Sequence, residues 1–259
     1  MLPFKTEQLS KFLISGRWLE KQQNTILSAG IIIATANLFS LFAGVLRDRV
    51  LLGQFYGPGV AGELYTAFQL AFQVPDTMYQ LIVLGALSAA FIPIFTETRK
   101  KHSEKEAFQL TSIVMTLLLM AFIALGVIVF IFSDQITMMR TGAEFTPLQI
   151  KVASDLTKIM IMAQVLFAIS NFYTGILQSY QRFIVPAISP LFYNLGIILG
   201  SFIFYERFGI YGAGIGVLLG AFLHMVIQFP FVYKLGFRYS FSLNYKFPGV
   251  KKLFSLMPA

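Results

Sequence analysis

The chain has 259 residues, 56% of them apolar and only 12% charged, with a mean hydropathy of +0.71 and a formal net charge of +8. Soluble domains carry about 25% charged residues, and this composition cannot supply the polar shell that a water-soluble globule of this length needs. The absence of cysteine excludes disulfide and thiol chemistry, and the positive balance reads as basic loops facing anionic lipid headgroups, with no nucleic-acid partner.

Residues 1–24 mix Phe12, Leu13, Ile14, Trp18 and Leu19 with Lys5, Lys11, Arg17 and Lys21, which predicts a basic, amphipathic cytoplasmic segment lying on the membrane surface. No short apolar stretch closed by small residues precedes it, so a cleavable signal peptide is not expected. Residues 25–235 then predict six membrane-spanning helices, at about 25–54, 63–94, 108–132, 155–178, 183–205 and 209–233. Each is long enough to cross about 30 Å of hydrocarbon at about 1.5 Å per residue. Helices are the expected form because backbone groups in lipid must be satisfied within the segment. Residues 236–259 read as a basic cytoplasmic linker and the start of an interrupted seventh helix.

With the N-terminus in the cytoplasm, fourteen Lys and Arg fall on inside segments and five on outside segments. The positive-inside rule therefore places both termini in the cytoplasm.

Several residues stand out against this apolar background. Arg47 and Asp48 fall at the outer end of the first span, either as an anion-attracting group at the mouth of a cavity or as an interfacial pair marking the helix end. Glu63 opens the second span, where a carboxylate favours the positive end of the helix dipole. Pro75 predicts a kink or local opening. The neighbouring Asp76 either binds a cation or proton, or pairs within the bundle. Gly212, Gly216 and Gly220 repeat every four residues in the sixth span, and Gly196 and Gly200 do so in the fifth, a pattern for close helix packing. Asn194, Gln164 and Gln228 are mid-span polar groups of the kind that form interhelical hydrogen bonds. The two histidines, His102 in a charged loop and His224 alone in the sixth span, carry no metal or nucleophile pattern, and no phosphate-binding loop is present. An enzyme is not expected. A transporter driven by an ion gradient or by the membrane potential, with no cofactor, is the remaining class.

The joint pattern resembles the MurJ/MviN family of lipid II flippases, within the multidrug/oligosaccharidyl-lipid/polysaccharide exporter (MOP) superfamily. The resemblance rests on Gly44-x-x-Arg47-Asp48, Gly57-Pro58-Gly59, Pro75, the run from Gly85 to Pro93, and the stretch from Ile176 to Phe183. It continues through Pro186-Ala187, Pro190, Asn194, Gly209-Ile210-Tyr211-Gly212 and Gln228-Phe229-Pro230, in order over about residues 30–259. It implies an all-α polytopic membrane fold whose six helices form the N-terminal lobe of a MATE-like two-lobe transporter, with a second lobe as partner. It implies alternating access in the bacterial cytoplasmic membrane and a lipid-linked cell-wall precursor, undecaprenyl-diphosphate-linked lipid II, as substrate among membrane lipids. Cavity residues would be Arg47, Asp48, Glu63, Asp76, Tyr79, Arg182 and Asn194, with Gly44, Pro75, Gly85, Pro186, Pro190, Gly212, Gly216 and Gly220 shaping helices. The family's further cavity charges correspond here to Leu41, Tyr79, Gln80 and Leu84. Other readings are an exporter of another polyprenyl-linked polysaccharide, a cation-coupled drug antiporter, or a non-transporting scaffold.

Overall fold

The structure, a computed structural model, describes residues 26–56, 60–80, 90–142 and 144–255, together with positions 19 and 22. The expected surface helix before residue 24, the turn at 57–59, and Leu84 and Gly85 lie outside the described residues. Among the described residues all regular structure is helical: α1 (Ile26–Phe55), α2 (Val60–Tyr79), α3 (Phe91–Lys101), α4 (Glu104–Ile131), α5 (Ser133–Arg140), α6 (Pro147–Ser179), α7 (Ile184–Phe208), α8 (Ile210–Val226), α9 (Phe229–Lys234) and α10 (Val250–Ser255). Among the described residues five stretches are long and apolar enough to cross a membrane, namely Ala29–Phe55, α4, α6, α7 and Ile210–Lys234. The second expected span is represented by α2 and α3, on either side of residues 81–89.

Helix ends follow local chemistry. Ser103 caps α4 by accepting from the Glu106 amide at 3.2 Å. Thr146 and Gln149 form a reciprocal capping box at the start of α6, with Pro147 as its first residue. That cap starts α6 about two turns before the position expected from apolar periodicity. At the other end Gln181 takes a left-handed conformation (φ +58°), while Arg182 N–H donates to Leu177 O at 2.9 Å and Gln181 N–H to Gln178 O at 2.9 Å. These are the two bonds of a Schellman ending, made with Gln where Gly is usual, and they turn the chain sharply into α7.

At 33 residues, about 50 Å, α6 is the central post. It contacts α2, α3, α4, α5 and α8, and 56% of its apolar window is buried. By contrast only 11% of the window of α1 is buried, because it rests chiefly on α7. Two apolar clusters divide the interior. One gathers Phe91, Phe95, Phe122, Phe172 and Ile176 toward the α3 side. The other gathers Leu51, Phe55, Phe68, Leu156 and Val217 toward the Thr146 end.

Backbone-to-backbone contact fixes α7 against α8. A Cβ on Gly196 would lie 2.3 Å from Gly220 Cα, and one on Gly200 would lie 2.2 Å from Gly216 Cα. A Cβ on Gly212 would meet Phe204 at 2.9 Å, one on Gly216 would meet Ile197 O at 2.8 Å, and one on Gly220 would meet Tyr193 O at 2.4 Å. No residue other than glycine fits these positions, and the chain reverses between the two helices at Gly209, whose φ is +54°. Gly44 differs from the packing role expected of it: a Cβ there meets nothing within 4 Å. Pro75 is buried inside α2. Lacking an N–H, it leaves Ala71 O without its helical donor, and Thr157 Oγ1 approaches that carbonyl at 3.4 Å. Pro186 is buried in the first turn of α7 and Pro190 lies inside the helix.

After α9 the chain runs extended along α4, with Ser240 N–H donating to Ser112 Oγ at 3.4 Å and Ser242 N–H to Thr116 Oγ1 at 3.5 Å. It returns as α10, where Lys252 donates to Glu97 at 2.6 Å while Lys101 donates to the same carboxylate at 2.8 Å. On the other side of the molecule, Ser154 donates to Asp134, with Lys158 3.7 Å away, which keeps that carboxyl below its usual range.

Gly216→Leu is expected to force α7 and α8 apart and to lower stability in mixed micelles by roughly 2–3 kcal/mol, read by equilibrium unfolding. Gly126→Ala, whose Cβ meets Ile161 at an ordinary 3.7 Å, leaves stability unchanged. Hydrogen bonds from Lys101 and then Lys252 hold the Glu97 carboxyl at about 2, below its ordinary 4.5. A folded-state value lowered in this way makes the attachment of α10 fully present above the ordinary value and lost as pH falls through about 2. Amides in residues 250–255 are therefore protected relative to their intrinsic exchange rate at neutral pH and lose that protection on acidification toward pH 2, whereas Glu97→Gln lowers the protection at neutral pH.

Candidate substrate cavity

The helical pattern of α1 continues through Arg47-Asp48-Arg49 to Phe55, so Arg47 lies two turns before the helix end. Its side chain reaches across to α7. Nη1 donates to Asn194 Oδ1 at 3.0 Å, while Nε and Nη2 donate to Asp48 Oδ1 at 2.9 and 2.7 Å. Asn194 is the eleventh residue of the 25-residue α7, which puts the guanidinium near the middle of that helix. This differs from the outer end where the residue was expected. The physical reason is that α1 runs beside α7, with Phe55 packed edge-on against Tyr205 at 5.3 Å, so Arg47 meets the middle of its neighbour.

Asn194 is buried and fully engaged. It accepts from Arg47 and donates to Ser40 O at 3.3 Å and Pro190 O at 3.2 Å. One amide thus ties the backbone of α1, the guanidinium and the proline-bearing turn of α7 together. The Arg47 side chain is 25% exposed and that of Asp48 is 51% exposed. Ion pairs this open to solvent add about 0–1 kcal/mol to stability, so the pair's worth to the fold is small. Arg47 and Asp48 line a half-open cavity of ≈ 410 Å³ together with Leu51, Tyr65, Phe68, Gln69, Phe72, Gln73 and Ile197. Leu51, Tyr65, Phe68, Phe72 and Ile197 give it an apolar and aromatic lining, and its polar groups are a guanidinium, a carboxylate and two amides.

Deeper along α2, Asp76 accepts from Gln80 Nε2 at 2.6 Å. Tyr79 accepts from Asn171 Nδ2, and its ring packs on Phe167 at 5.9 Å. Tyr193 packs on the same Phe167 at 4.9 Å and lies within electrostatic reach of both Arg47 and Asp76. Arg47, Asp48, Asp76, Tyr79 and Asn194 therefore converge on one side of the lobe. Glu63 and Arg182 do not join them. Glu63 accepts from Thr146 Oγ1 at 3.0 Å and, through its backbone carbonyl, from Gln149 at 3.5 Å, which fastens the start of α2 to the start of α6. Arg182 lies in the turn between α6 and α7, at the opposite end of α6.

Tyr65, Gln69, Gln73 and Tyr193 escaped sequence reasoning. A signal was present: Glu63, Thr66, Gln69, Gln73, Asp76 and Gln80 recur at three- and four-residue steps, a polar stripe down one face of α2. His224 is also better connected than its sequence suggests. Ser170 Oγ lies 2.7 Å from its Nδ1, and Gln228 donates to Ser170 and accepts from Thr174, at 2.7 and 2.9 Å. Among the described residues no cluster of His, Asp or Glu could hold a metal ion.

Comparison with known proteins matches this arrangement. The family model described as lipid II flippase MurJ matches residues 60–259. The chain is 28% identical over 215 residues to the probable lipid II flippase MurJ of Borreliella burgdorferi, covering 83% of this chain and 41% of that protein. It is 29% identical over 239 residues to the probable lipid II flippase MurJ of Buchnera aphidicola subsp. Schizaphis graminum, covering 90% and 44%. The chain thus spans less than half the length of these curated relatives. Among solved structures, lipid II flippase MurJ in an inward closed conformation superposes with a TM-score of 0.67 at 24% identity, covering 88% of this chain and 47% of that one. A MOP superfamily transporter from Pyrococcus furiosus superposes with a TM-score of 0.60 at 15% identity, covering 92% and 51%. These likenesses show a shared fold. Apolar helices around a half-open polar cavity, and a family match over most of the length, make this a polytopic α-helical membrane protein that belongs to the MurJ lipid II flippase family.

Proposed function

We propose that this chain forms the first lobe of a flippase that moves lipid II, an undecaprenyl-diphosphate-linked peptidoglycan precursor, across the bacterial cytoplasmic membrane. The observation that carries the reading is the Arg47 guanidinium held by Asn194 beside an open cavity. A guanidinium in a partly desolvated cavity makes strong charge-assisted hydrogen bonds to phosphoryl oxygens. Asp48 and Asn194 orient it in advance, so little is lost to side-chain ordering when the headgroup arrives.

The substrate's charged head occupies the cavity while its prenyl tail stays in lipid. The exposed apolar face of α1, which includes Leu38, Leu41, Phe42 and Val45, is a surface for lipid tails or for the second lobe. The bond broken and made is only a set of contacts, so no chemical step is involved. Alternating access closes one side of the cavity while opening the other, driven by an ion gradient or by the membrane potential. Both termini of the lobe face the cytoplasm, with Arg99, Lys100, Lys101, Lys246, Lys251 and Lys252 on that side.

In the protein assembled with its second lobe, Arg47→Ala is expected to slow flipping of a labelled lipid II in proteoliposomes by roughly tenfold or more without lowering the amount of folded protein. Asn194→Leu leaves the charge but frees its orientation, and is expected to give a smaller loss. Wild-type flipping by Arg47→Ala overturns the assignment.

A further inference from the structure

Arg140 ends α5 and donates from Nη2 to Gln73 Oε1 at 2.8 Å. Gln73 lines the cavity shared by Arg47 and Asp48. A guanidinium carries donors only, so the amide oxygen of Gln73 must face Arg140 and its NH2 group must point the other way. Arg140 therefore orients a neutral donor and polarises it. Its own exposed charge stands one hydrogen bond behind the wall.

The charge balance of the wall gives this contact a role. Among the lining residues Arg47 and Asp48 are the ionised pair, and the carboxylate takes two of the guanidinium's donors while Asn194 takes a third. The lining alone is close to neutral. One phosphodiester brings one negative charge, and a diphosphate diester brings two, held on adjacent phosphorus atoms. Arg47, with its remaining donors, can meet the first phosphoryl group. A second needs a further cation or a donor polarised by one.

We infer that Arg140, acting through Gln73, is a positioning residue that makes this cavity prefer a diphosphate headgroup over a monophosphate one. The inference rests on the flippase reading above and deepens it. Arg47 serves any phosphoryl headgroup. The Arg140–Gln73 contact serves the second phosphoryl group, which is the feature separating the two ligand classes. Arg140 sits on a short helix at the end of α4, so movement of α5 would change the cavity's charge without moving Arg47.

The test uses the protein with its second lobe in nanodiscs and two synthetic probes: a polyprenyl-diphosphoryl N-acetylglucosamine and a polyprenyl-monophosphoryl N-acetylglucosamine. Arg140→Gln is expected to weaken the diphosphate probe roughly tenfold while changing the monophosphate probe by less than about twofold, the size of one charge-assisted hydrogen bond. Gln73→Leu should reproduce that pattern, and the double variant should lose no more than either single one, because both act through one contact. Arg140→Lys should recover part of the preference. Equal losses for both probes, or no loss for either, overturn the inference while leaving the flippase reading in place. If Arg47→Ala binds both probes like the wild type, the flippase reading falls and this inference falls with it. A purely structural role for Arg140 would lower the unfolding temperature without altering the ratio of the two affinities, and that result also overturns it.

Discussion

The backbones of α7 and α8 touch where each has only hydrogen for a side chain, Gly196 against Gly220 and Gly200 against Gly216. In a bilayer the hydrophobic effect gives helices little reason to associate, so close van der Waals contact and interhelical hydrogen bonds must do it. α8 in turn packs on the central post α6, with Gly214 admitting the Leu156 side chain. The glycine seam therefore sets how far α7 stands from the centre. That distance places Asn194, and Asn194 places the Arg47 guanidinium at the cavity. The placement of the cavity's guanidinium thus depends on residues that have no side chain at all.

Polar groups elsewhere obey the same constraint. Most buried polar side chains in the apolar interior find partners within the protein, because lipid offers none; among the described residues Gln54 Oε1 and Arg182 Nε are the exceptions. Ser170, His224, Gln228 and Thr174 form one closed set between α6 and the α8–α9 region. Thr157 approaches the carbonyl that Pro75 leaves without a donor, and the segment after α9 gives two of its amides to Ser112 and Thr116. The groups around the Arg47 cavity are the contrast. Asp48, Gln69, Gln73 and Asp76 are exposed, as is usual for polar groups of a membrane protein that face a cavity, a partner or the interface.

Much of this was legible in the residues. The apolar runs set the membrane class, and the four-residue glycine spacing in the fifth and sixth spans pointed to helix contact because that spacing keeps small residues on one face. Arg47, Asp48, Asp76, Tyr79 and Asn194 were nominated and converge. Glu63 and Arg182 were nominated with them and lie elsewhere, since sequence shows that a charge sits at a helix end without showing which neighbouring end it faces. Nothing in local spacing connects Arg140 to Gln73, 67 residues earlier.

The sequence by itself determined the helical class and its membrane setting, because helix periodicity and apolar length are local properties of the chain. Only the tertiary structure decided which side chains share the cavity and at what depth. Arg47 meets the middle of α7 because α1 runs beside that helix, and five glycines of α7 and α8 set how closely those two helices pack. Such a relation depends on the packing distance between helix backbones, and no window of residues along a single helix contains it.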